Sequence, residues 1–97
     1  MEVKQQQRLR AEAHYLKPIV LMGAKGLTEN VMIEIDLALA THELIKVKAG
    51  SLPKEEKQAF ADDITKATKS TLIQMIGNIL VLYRKNPSLE KNKKISE

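Results

Sequence analysis

The side chains able to do covalent or metal chemistry are few and scattered. His14 and His42 fall on different segments, with no HExxH spacing and no carboxylate placed to complete a triad. Ser51, Ser70, Ser88 and Ser96 sit at caps, segment boundaries or in the tail, and none lies in a GxSxG elbow. Asp62 and Asp63 are neighbours in a helical stretch, so they point to different sides and read as solvated. His42 near a helix C-terminus suits the helix dipole and reads as structural. With no cysteine there is neither a disulfide nor a thiolate metal site. A non-enzyme without metal or cofactor is therefore expected.

One stretch does point to a chemistry, the holding of phosphate by main chain. Pro18-Ile19-Val20-Leu21-Met22 is a short apolar run bounded by proline and glycine, the pattern of a buried strand. Gly23-Ala24-Lys25-Gly26 follows, and then Leu27 and Thr28 open a helix, with Thr28 as N-cap and Leu27 able to staple onto Met32. The first amides of a helix lack partners within it and its dipole makes that end partly positive. Glycines at Gly23 and Gly26 let a sugar-phosphate backbone approach closely, and Lys25 adds a cation at the tip. The alternative is that both glycines only permit a sharp strand-to-helix turn. Neither GxxxxGK[ST] nor GxGxxG is present, which sets aside mononucleotide and dinucleotide loops of those kinds.

Charge is segregated along the chain. The net charge is +4, yet residues 1–26 carry five Lys/Arg against two acids, whereas residues 27–43 carry four acids and no Lys or Arg. Residues 71–97 return to five bases against two acids. Arg8, Arg10, Lys17, Lys46, Lys48 and Arg84 are the cations nearest in pattern to the glycine loop. For Lys46, Lys48 and Arg84 a solvated strand face or end is the alternative reading. Tyr15 and Tyr83 could stack on bases or pack at the core or rim. A polyanionic partner is the expectation that these charges support.

Those residues need a scaffold, and 97 residues with 43% hydrophobic content suffice for one small domain with an aliphatic core. Helical spacing of Gln6, Leu9, Ala13 and Leu16 predicts a helix from Lys4 to about Tyr15, ended by Lys17-Pro18. Its other side shows Arg10, His14 and Lys17. A second helix runs from about Glu29 to Thr41 with Val31, Ile35, Ala38 and Leu39 inward and Glu34 and Asp36 in solvent. Leu44 to Lys48 alternates as a half-buried strand. Ser51 caps a third helix over Leu52 to Thr68, with Phe60, Ile64 and Ala67 inward. Thr71–Ile76 and Ile79–Arg84 form a hairpin around Gly77-Asn78. The order is an N-terminal helix followed by βαβαββ, an α/β two-layer fold with a four-stranded mixed sheet, helices on one face and the other face partly open. Residues 1–85 form the domain, and the polar tail 86–97 is expected to be disordered and dispensable for folding. No apolar h-region and no membrane-length segment are seen, so a cytoplasmic protein is expected.

Three separated runs carry a resemblance to a known family: Leu16 through Thr28, His42-Glu43-Leu44-Ile45-Lys46-Val47-Lys48, and Gln74 through Arg84. Together they resemble the bacterial YhbY family, the stand-alone form of the chloroplast RNA splicing and ribosome maturation (CRM) domain, over about residues 4–85. The resemblance implies a sheet similar to that of the C-terminal domain of translation initiation factor three. It also implies RNA binding through a GxxG loop like that of KH domains, here Gly23, Ala24, Lys25 and Gly26. The implied partner is structured RNA, ribosomal RNA in precursors of the large subunit; the protein itself is expected to be a monomer. The alternatives are another nucleic-acid binder of similar fold, acting on chromatin or messenger RNA, or a protein–protein adaptor using the acidic second helix.

Overall fold

The structure, a computed structural model, describes residues 2–22 and 28–85. The glycine loop at Gly23–Gly26, with Ala24 and Lys25, lies outside the described residues, as do Leu27 and the tail 86–97.

The elements follow in the expected order: α1 (Val3–His14), β1 (Val20–Leu21), α2 (Glu29–His42), β2 (Leu44–Lys48), α3 (Lys54–Thr68), β3 (Thr71–Ile76) and β4 (Ile79–Tyr83). The four strands form one mixed sheet in the order β1-β2-β4-β3. β1 runs parallel to β2, while β4 pairs antiparallel with both β2 and β3. The hairpin thus folds β4 back between β2 and β3 instead of adding it at the edge. That placement suits its sequence: Ile79-Leu80-Val81-Leu82 is apolar without alternation, as a strand covered on both faces must be.

Alternation along the strands sorts the core into two clusters. Ile45, Val47, Leu80 and Leu82 pack with Val20 and Met22 of the β1 segment and with Ile35, Leu39, Ala61 and Ile64 of α2 and α3. Leu44, Val81 and Ile73 point the other way and pack under Leu9 and Ala13 of α1. Helices on one face therefore describes α2 and α3 only. α1 lies on the opposite face, because Val81 and Leu44 leave an apolar strip there that its narrow stripe can cover. Ile73 alternates onto this face from Leu72, and the register shift between Leu72 and Gln74 leaves Gln74 on the same face opposite Val81.

Two local expectations give way to identifiable physics. α3 begins at Lys54, with Pro53 at φ −55°, ψ 149° in the cap position and no side-chain cap bond. Leu52 precedes a proline, which disfavours the α region there, so the helix cannot start as early as Leu52 with Ser51 as its cap. Within α3 Ala61, Ile64 and Thr68 are buried and Phe60 packs against the core as expected, whereas Ala67 is exposed. Thr68 tolerates burial because its hydroxyl donates to the Ile64 carbonyl at 2.6 Å and shares a 2.7 Å bond with the Ser70 hydroxyl.

Candidate nucleic-acid interface

The glycine loop leaves the sheet from a fixed point. Ile19 donates to the Lys46 carbonyl at 3.1 Å and Met22 donates to the Lys48 carbonyl at 2.8 Å, so β1 is held along β2 up to the residue before Gly23. On the far side of the loop, Thr28 accepts from the Val31 amide through its hydroxyl at 3.2 Å and caps α2. The strand end and the helix start that flank Gly23–Gly26 are thus both built as the local sequence requires.

Lys46 and Lys48 share the sheet face that carries α1, since Ile45 and Val47 take the other. Two residues along a strand separates them by about 7 Å. α1 packs on β2 and β3 and leaves the β1 edge of this face open. There Leu21 is 63% exposed, and its register partner Lys48 is exposed too. Arg10, His14 and Lys46 line one cleft of about 170 Å³ between α1 and the sheet, with Gln74 and Ile76 opposite. Lys46 is half-buried and donates from Nζ to the Leu16 carbonyl at 3.0 Å. It therefore both ties the end of α1 to the sheet and places its charge in the cleft. The line Arg10, Lys46, Lys48 leads to the base of the glycine loop.

The remaining cations are placed differently. Lys17 lines a separate, mostly apolar pocket of about 340 Å³ with Leu16, Ile19, Leu44 and His42. Arg8 lies on α1 beside Glu2, Lys4 and Gln5, away from the Lys46 cleft. Among the described residues, the side chains of Arg8, Arg10, Lys17 and Lys48 make no hydrogen bond or ion pair. Arg84 sits on the other side of the sheet. Its guanidinium donates to the Asp36 carboxylate at 2.6 Å, the Asp36 carbonyl at 3.0 Å and the Thr68 carbonyl at 2.9 Å. The structure therefore does not bring Arg84 together with Lys46 and Lys48. Nor is Asp36 a purely solvated acid.

Two residues beside the cleft carried little signal in the sequence. Gln74 and Ile76 enter it only because the register shift in β3 sets their side. Tyr15 is 85% exposed, against the core or rim packing that was one of its two readings, whereas Tyr83 does pack at the edge of the second cluster. Among the described residues, no group of His, Cys, Asp and Glu could hold a metal ion, and no helix is long and apolar enough to cross a membrane.

Three helices on the two faces of a four-stranded mixed sheet define a small α/β module. The family model for the CRS1 / YhbY (CRM) domain matches residues 1–84, and the chain belongs to this family. A Haemophilus influenzae protein named "RNA-binding protein" is 49% identical over 84 residues, covering 87% of this chain and 85% of its own. The Bacillus subtilis "Probable RNA-binding protein YqeI" is 39% identical, covering 95% and 93%. A solution structure of the Staphylococcus aureus protein SAV1595 superimposes with a TM-score of 0.79 at 37% identity, covering 89% of this chain and 90% of that one.

Proposed function

We propose that this protein binds structured RNA and serves as an assembly factor on precursors of the large ribosomal subunit, with no catalytic step of its own. The observation that carries the reading is that Arg10 of α1 and Lys46 of β2 line one cleft, and that Lys48 follows on the same sheet face, bonded through its carbonyl to Met22, the last described residue before Gly23. Loop amides and Lys25 would clamp phosphates, and the sheet cations would extend the footprint along the backbone. Such contacts supply affinity and register more than base specificity. The names of the relatives support the RNA part of the reading, and the ribosomal part rests on the family resemblance.

Gradient sedimentation of cell extract tests it. The protein should travel with large-subunit precursors and move to the top of the gradient after ribonuclease treatment. Migration at the top in both samples would contradict the assembly role.

A second reading has one observation in its favour. On acidic α2, Ile33 is 51% and Leu37 61% exposed, an i, i+4 apolar pair beside Asp36 that could seat a protein partner. Co-sedimentation that persists after ribonuclease would favour it.

A further inference from the structure

We infer that Tyr15 is a stacking platform for an unpaired nucleobase of the bound RNA, an inference that rests on the RNA-binding reading above. Tyr15 follows α1 at its C-cap, where the chain turns toward β1, and 85% of its surface is accessible. A tyrosine usually buries its ring and leaves only the hydroxyl wet; here the ring itself stands in solvent. Its one ring neighbour among the described residues is His14, at 5.3 Å between centroids and 83° between planes. That perpendicular contact steadies the ring and takes up at most one of its faces.

Charge at this position fits a nucleotide more closely than a bare apolar ligand. The next residue, Leu16, offers the carbonyl that receives Lys46 Nζ, so an ammonium is fixed one residue from the ring. His14 lines the same cleft as Lys46 and Arg10. A phosphate chain following Arg10 and Lys46 runs past His14, the residue before Tyr15, and a base splayed out from it could lie flat on the exposed ring. Bases inside a continuous duplex are stacked on one another and cannot do so. The platform therefore selects for a loop, bulge or end over a duplex of equal charge.

The test uses the full chain as wild type, Tyr15→Ala and Tyr15→Phe. The probes are a hairpin of large-subunit ribosomal RNA carrying a fluorescent adenine analogue in its unpaired loop, and a continuous duplex with the same number of phosphates. Wild type and Tyr15→Phe should bind the hairpin equally and change the fluorescence of the analogue on stacking. Tyr15→Ala should bind the hairpin at least about fivefold more weakly, without that fluorescence change, and bind the duplex as wild type does. Unaltered hairpin affinity and fluorescence in Tyr15→Ala would overturn the platform while leaving RNA binding intact, as would an equal loss on both probes. Wild type binding neither probe would overturn the RNA reading and the platform with it.

Discussion

Arg84 shows how far residue type alone falls short of role. In sequence it is a cation closing a strand, indistinguishable in kind from Lys46 or Lys48. In the fold it reaches toward α2 and α3 and satisfies three oxygens with one planar fork, something an ammonium cannot do in that geometry. Its side chain is 22% exposed and that of Asp36 is 56% exposed, so solvent screens the ion pair itself to about 0.2–1 kcal/mol. The bonds to the two carbonyls add to this. Arg84→Ala should lower stability by about 1–3 kcal/mol in chemical denaturation, and Arg84→Lys should recover only part of the loss. Its RNA affinity, measured well below the melting transition, should stay near wild type. A stable Arg84→Ala variant with sharply weakened RNA binding would return this residue to the interface.

At the scale of elements, much of the fold was legible. The bounds of β2 and β3 are those that alternation and the Gly77-Asn78 turn predict, and the α2 cap is the predicted Thr28. What was not legible came from side chains that satisfy themselves in unexpected ways. Thr68 takes a core position because its hydroxyl finds the Ile64 carbonyl, so apolarity, which favours Ala67, does not decide inwardness there. The side on which α1 packs is decided by Val81 and Leu44, contacts remote in sequence that periodicity within α1 cannot see. The end of α3 offers a direct check on local backbone chemistry. Lys69 holds the left-handed cap at φ 55°, ψ 39°, a conformation that costs a residue with a Cβ about 1–2 kcal/mol. Glycine there gives back about 0.5–1 kcal/mol in chain entropy. Lys69→Gly should therefore raise the thermal midpoint, by up to several degrees for a domain of this size. A lowered midpoint would mean that the lysine stem makes contacts worth more than the backbone relief.

Across the whole molecule, the two faces of the sheet differ in cover and in charge. α2, the acidic helix, and α3 cover one face with the larger core, while the α1 face bears Arg10, Lys46 and Lys48, the last beside Met22. The charge segregation legible in the sequence thus becomes a spatial one. Which cations converge was not legible, because Arg8, Lys17 and Arg84 differ from Arg10 only in what the fold sets beside them. The central claim is that RNA lies on the α1 face and the Gly23–Gly26 loop. It is tested most directly by the dissociation constant for large-subunit ribosomal RNA, compared among wild type and three charge changes at equal salt. Lys48→Glu alters the open edge of the proposed face, and Ala24→Asp with Lys25→Asp alters the loop while keeping both glycines. Lys66→Glu makes the same charge change as Lys48→Glu on exposed α3, behind the sheet. The first two variants should each lose at least about tenfold in affinity, equivalent to about 1.4 kcal/mol, while folding normally. Lys66→Glu should bind within about twofold of wild type, since its charge lies in solvent on the far side of the sheet from the proposed face, where salt screens it. Equal losses in all three would mean that net charge, not this face, attracts RNA, and unchanged affinity in the first two would contradict the assignment outright.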